Sequence, residues 1–325
     1  MVDVTSAAIP STKPKSKRWA RAAGTLTAVF TFIGVVIMLY VLAQLPTEFS
    51  GVRTETWVWA VPAVALAALT YLGSAISLRG AVIPPLPLLR TTELQLAEAF
   101  TSVATPDGVG SVALSNRFLS HFRVEPVTAV GAFTLSSVAS GIVGVTAAAI
   151  AAALSASNIN LTGPGHHDNW WLILGAVLLL ALVVGAMVWI DRIRRRVLPP
   201  LTRAFRDLVA VIRRPRRAAS LFGGEILYTM VEALCLVAIL HMLDVRAPFG
   251  VVVVVVVAAN GVGSAVPIPG AMGAPEALVV AGLAAAGVDR VNAVAAAASY
   301  RLLTYWLPTI PGALATRNLK RQGLL

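Results

Sequence analysis

Several runs of roughly 20 residues without a single charge decide what this chain can fold into. The run from Gly24 to Leu45 is one, and the run from Pro126 to Leu154 another. About 20 apolar residues are what a helix needs to cross the hydrocarbon core of a bilayer. No water is available there, so every backbone N–H and C=O must be satisfied within the segment, which leaves helices and closed barrels. The polar and apolar residues do not alternate as a barrel requires. Even the valine-rich stretch from Gly250 to Val257, a strand signal in water, is therefore read as helix. Composition agrees: 57% of the 325 residues are hydrophobic and 13% charged, against about 25% charged in soluble domains. The fold class is an all-α polytopic membrane protein.

About six full spans are expected: Gly24 to Leu45, Trp57 to Leu78, Pro126 to Leu154, Trp170 to Ile190, Ala218 to Leu240 and Val291 to Ala315. Trp57, Trp59, Trp170 and Trp171 stand where interfacial aromatics belong. Residues 1–22 read as a disordered basic cytoplasmic tail rather than a cleaved signal, residues 23–316 as one transmembrane domain, and 317–325 as a cytoplasmic tail. Orientation follows from lysine and arginine. Five basic residues lie between Lys13 and Arg21, ten between Asp191 and Arg217 and three in the tail, against Arg53, Arg246 and Arg290 in the opposite loops. Both termini are expected in the cytoplasm of a bacterial-type plasma membrane. The net charge of +11 sits in these loops and faces anionic lipid, above all at 191–217, where an interfacial helix competes with a solvated loop. No aromatic interleaving points to nucleic acid. Cys235, the only cysteine, reads as a packing residue.

Two segments are too polar to cross alone and too apolar to be loops. Arg90, Glu93, Gln95 and Glu98 sit in a helical pattern that breaks at Pro106, Gly108 and Gly110 and resumes through Asn116 and Arg117. Phe249 to Val266 breaks likewise at Pro267, Pro269, Gly270 and Gly273 and resumes to Gly287. Both read as re-entrant helical hairpins. Pro106 and Gly110 align with Pro269 and Gly273; Val124 then aligns with Val288 and Ala129 with Ala293, one residue further on. One hairpin enters from inside and the other from outside. The pattern is an inverted repeat, about 57–154 and about 218–316, joined by the basic linker 191–217, and such repeats place substrate sites at mid-membrane.

Charged residues at this depth are costly and point to function. Arg301 lies about 15 Å into the last span, with Glu276 and Glu232 as candidate partners, and Glu225 and Glu232 share one helix face. Arg117 and Arg90, with Glu93 and Glu98, form the expected counterpart in the first half. The reading is that Arg117 or Arg301 grips a phosphate in forked geometry, with the helix N-termini after Gly110 and Gly273 aimed at the anion. The alternative is an internal Arg–Glu lock.

The run Pro267-Ile-Pro-Gly-Ala-Met-Gly-Ala-Pro-Glu276, with Tyr300-Arg-Leu-Leu-Thr-Tyr-Trp-Leu-Pro308, resembles the flippase-like membrane family, also called the lysylphosphatidylglycerol synthase transmembrane family. Thr105-Pro-Asp-Gly-Val-Gly110 and Asn116-Arg117 resemble its first motif. Ser111 stands where many members have glutamate, and Ala271 where a second glycine is usual. No aminoacyl-transfer domain is expected. The resemblance implies transbilayer movement of an anionic lipid or a polyprenyl-phosphate-linked sugar in cell-envelope biogenesis, not synthesis. No Walker motif is present, so the drive is an ion gradient or substrate consumption, with Glu93, Glu98 or Glu232 as candidate proton carriers. No cofactor or metal is expected, since His166 and His167 lack a third ligand. The rival readings are an integral membrane lipid-modifying enzyme, such as a glycosyltransferase, and a non-catalytic partner subunit. A glycosyltransferase would need paired carboxylates, which the isolated Asp191 and Asp207 do not supply. A second copy of the chain and an envelope-synthesis enzyme are the candidate protein partners.

Overall fold

The computed structural model describes residues 56–104, 109–156, 211–265 and 273–325. The expected spans at 24–45 and 170–190, the N-terminal tail, most of the basic linker and both Pro/Gly tips lie outside the described residues.

Among the described residues the chain is all helical. A 3-10 turn, Thr56–Trp59, leads into α1, Ala60–Ala81. The rest of the first half is α2, Leu88–Ala104, α3, Val109–His121, and α4, Pro126–Ala156. The second half holds α5, Pro215–Met242, α6, Phe249–Ala265, α7, Ala274–Ala285, and α8, Arg290–Arg301. A π turn, Leu302–Trp306, then joins α8 to α9, Thr309–Arg321.

Three helices, α1, α4 and α5, are long and apolar enough to span a bilayer. At 1.5 Å per residue they measure about 33, 46 and 42 Å. The helices α2, α3, α6 and α7 measure only about 18–26 Å, less than the roughly 30 Å hydrocarbon core. Large apolar side chains point outward along the spans, including Val61, Ile142, Ile150, Ile226 and Leu234. Lipid rather than water is the solvent that such a surface fits. At one end Trp59 stacks on His241, with ring centroids 4.7 Å apart, as amphipathic rings do at an interface.

The central pair is α1 against α5. Their backbones touch because the facing positions are small. A Cβ at Gly224 would lie 2.3 Å from the Ser77 nitrogen, and one at Gly80 the same distance from the Leu221 nitrogen. Small residues allow this approach where no hydrophobic force draws helices together in lipid. Polar bonds fix the direction. Cys235 lies 3.4 Å from the Ala63 carbonyl, Ser77 donates to Glu225 at 2.5 Å, and Ser220 donates to the Ile76 carbonyl at 2.7 Å. Arg217 caps the C-terminus of α1 through the Gly80 and Ala81 carbonyls. Partner numbers fall along α5 as they rise along α1, so the two helices are antiparallel.

Two apolar cores sit at the two ends of this pair. At the Gly80 end, Leu78, Leu86, Leu94, Phe118, Leu119, Val124, Ala129, Leu221 and Leu319 pack together. At the Ala63 end the core holds Leu236, Leu240, Val252, Val256, Leu283, Val288 and Ala293. The α2–α3 hairpin therefore leaves and returns at the Gly80 end, and the α6–α7 hairpin at the Ala63 end. Each hairpin also packs on a late helix of the other half. Leu96 and Phe100 meet Gly312 of α9, and Val257 meets Gly144 of α4.

Both hairpins close in the same way. After α3, Arg123 takes φ 60° and Val124 N–H bonds back to the Leu119 carbonyl. After α7, Gly287 takes φ 87° and Val288 N–H bonds to the Leu283 carbonyl. This left-handed C-cap suits glycine and costs a side chain about 1 kcal/mol or more. Arg123 is exposed, so Arg123→Gly is expected to raise stability by about 1 kcal/mol, read as a higher melting temperature in detergent.

The expected last span ends near Ala315; the helix runs on through a π turn to Arg321, while Leu319 is fully buried and Leu324 and Leu325 pack on the Gly80-end core. These leucines cover apolar surface that a solvated tail would leave open.

Candidate functional site

The site is built where the second hairpin meets the last helix, just before its π turn. Gly273, at φ 91°, starts α7 just after the break. Glu276, in the first turn of α7, accepts from the Gly273 N–H at 2.9 Å through Oε2. Its other oxygen, Oε1, lies 2.9 Å from Arg301 Nε. The side chains are 16% exposed for Arg301 and 25% for Glu276, so the pair is largely removed from solvent. Of the two partners expected for Arg301, the geometry selects Glu276. At this helix N-terminus, which is expected to face an anion, Glu276 occupies the Gly273 N–H. An incoming phosphate would have to compete with that carboxylate.

Arg301 stands at the last α-helical position before the π turn, and its guanidinium lies 4.0 Å from the centroid of the Tyr305 ring. A π turn leaves backbone groups out of register, and neighbours use them: Tyr71 of α1 donates to the Thr304 carbonyl at 3.2 Å. One line of contacts thus runs from Tyr305 in the π turn through Arg301 to Glu276 in the first turn of α7.

Two further carboxylates are buried and a third is half-buried, all with neutral partners. Glu232 accepts from Asn260 of α6 and lies against Tyr228 and Tyr300. Glu225 accepts from Ser77. Glu98 accepts from Ser115 across the first hairpin and from Gln95 at 3.0 Å. Each carboxylate ties two or three helices together at a depth where an unsatisfied oxygen is costly.

The charged cluster expected in the first half is not assembled. Arg90 pairs with Glu93 at 3.1 Å at the outer end of α2, both partly exposed. Glu98 faces Ser115 instead. Arg117 is exposed, because Ser115, Phe118 and Leu119 take the buried stripe of α3 and the helical period turns residue 117 away from it. Asn116 keeps its Oδ1 buried without a hydrogen bond among the described residues. Gly110 lies in the first turn of α3, whereas Pro106, Gly108, Pro267, Pro269 and Gly270 lie outside the described residues. Sequence reasoning did not single out Tyr305, Asn260, Ser77 or Ser115 as site residues. Tyr305 had a signal in its i,i+4 spacing from Arg301, and Asn260 in being the one amide of an apolar run.

Residues 22–312 match the family model described as the lysylphosphatidylglycerol synthase transmembrane region. The chain belongs to this family. The match takes in every element of the site and stops within α9. No curated protein matches the chain. Within the lysylphosphatidylglycerol synthase transmembrane family, a membrane lipid-related role fits both the match and the apolar helices.

Proposed function

We propose that this protein moves an anionic lipid or a polyprenyl-phosphate-linked sugar between the leaflets of the plasma membrane. The single observation that carries the reading is the Arg301–Glu276 pair, set where the second hairpin meets the last helix. A guanidinium at the bilayer centre costs about 2.5–3.5 kcal/mol by insertion measurements. Its retention beside a backbone break fits a phosphate-binding role. The two halves act as an inverted repeat, with the cytoplasm at the Gly80 end. What supports this is the antiparallel α1–α5 pair, hairpins leaving from opposite ends, and the reciprocal packing of each hairpin on the other half. The cations Arg213, Arg214, Arg317, Lys320 and Arg321 gather near the Gly80 end, as the positive-inside rule requires.

In operation the phosphate displaces Glu276 from Arg301, which offers a fork of N–H donors. The carboxylate keeps its bond to the Gly273 N–H. The apolar tail stays in lipid while the halves rock about the glycine-lined α1–α5 contact. The protein acts as a transporter rather than an enzyme. The test is reconstitution in sealed vesicles carrying a fluorescent phosphatidylglycerol. Outer-leaflet label is quenched by a membrane-impermeant reductant, and about half the signal survives in protein-free vesicles. Loss of the protected half in vesicles holding the protein is the expected result. Full protection at every protein density, with labelled polyprenyl phosphate behaving the same, would refute the reading.

A further inference from the structure

We infer that the groove between α2 and α9 at the Gly80 end is a docking site for an anionic phospholipid headgroup, separate from the Arg301–Glu276 pair. An open groove of about 470 Å³ is lined there by Phe100, Ala313, Thr316, Arg317, Lys320 and Arg321. That volume is typical of small-ligand clefts. The three cations lie at i, i+3 and i+4 on α9, and none is ion-paired with a described residue. The carboxylate best placed to neutralise them is Glu93, which shares a helical stripe with Leu96 and Phe100, but Arg90 holds it. Thr316 spends its hydroxyl on the Gly312 carbonyl at 2.8 Å. The groove is thus a cationic rim over an apolar wall.

The same helix says why the occupant is a lipid rather than a soluble anion. Ile310 and Leu314 are 65% and 64% exposed, and they stand on one face with Arg317 and Arg321, at spacings of four, three and four. An acyl chain lying along Ile310 and Leu314 would place its phosphodiester at the arginines. Near an anionic surface each such cation contributes about fivefold in affinity, so three contribute about a hundredfold.

Docking is read as binding, not movement, so its outcome is separate from that of the transport reading. Radiolabelled dioleoylphosphatidylglycerol is titrated onto the detergent-purified full chain. The variant R317A/K320A/R321A is expected to bind about a hundredfold more weakly. The variant R213A/R214A/R216A, which removes the same charge near the same end, is expected to bind within about threefold of the unaltered chain. The variant R301Q should keep the groove lipid. Phe100→Ala, with all cations intact, is expected to weaken binding about tenfold, and it decides the matter should the triple variant fail to fold. Equal losses from the two triple variants would reduce the groove to diffuse surface charge and overturn the inference. So would displacement of the lipid by millimolar inorganic phosphate.

Discussion

Gly224→Ala is expected to cost about 3 kcal/mol, the upper part of the range for overpacking, and Gly224→Val to leave no monodisperse folded protein. The added Cβ would sit 2.3 Å from the Ser77 nitrogen and 2.7 Å from the Gly73 carbonyl oxygen. Both are backbone atoms, so no rotamer change relieves the clash, and α1 must move away from α5. That movement also lengthens the Ser77–Glu225 bond, now 2.5 Å, and leaves a buried carboxylate short of a donor, which adds to the loss. The adjacent residue is the control. A Cβ at Gly223 meets nothing within 4 Å, so Gly223→Ala is expected to be neutral or to gain up to about 1 kcal/mol from helix propensity. Cys235 supplies the readout, since its thiol is fully buried beside Ala63. A maleimide dye reacts with it as the protein unfolds on heating. Equal melting temperatures for Gly224→Ala and Gly223→Ala would show that the α1–α5 contact is looser than the coordinates place it.

The parts of this architecture that were legible in the sequence rest on one-dimensional rules. Charge-free runs must be helical in lipid, so α1, α4 and α5 could be placed to within a few residues. The Pro/Gly breaks divided the two hairpins because proline and glycine interrupt helices wherever they fall. Val124 and Val288 close their helices in the same way, but so do Val245 and Leu324, so the closure alone does not mark the repeat. Partner choice was not legible. Whether Arg301 meets Glu276 or Glu232 depends on how α7 and α5 are rotated about their axes, and near-uniform apolar helices carry little signal for that rotation. Arg117 shows the same limit, since its place on α3 was known but not the stripe that packing would bury. The π turn was also hidden, because Leu302–Trp306 reads as ordinary apolar helix.

Neutralising both members of the Arg301–Glu276 pair separates a lock from a substrate site. Glu276→Gln alone takes its carboxylate from a guanidinium whose side chain is 16% exposed, and breaking such a pair costs about 3–5 kcal/mol. Arg301→Gln alone leaves Glu276 its bond to the Gly273 N–H, so its cost is expected to be smaller. The double variant E276Q/R301Q carries no buried charge at this point. It is expected to recover most of the stability lost in E276Q, because desolvation of an arginine deprived of this carboxylate is the dominant penalty. Transport should follow a different pattern. A guanidinium that grips phosphate cannot be replaced by an amide, so R301Q and the double variant are both expected to lose at least tenfold in the rate of lipid movement. R301K, which keeps the charge but not the fork, should fall between them and the unaltered chain. If the pair only pins α7 to the last helix, rate and melting temperature should rise together in the double variant. Recovered stability with persistently lost movement is the outcome that assigns Arg301 to the substrate, and recovery of both would remove it from the site.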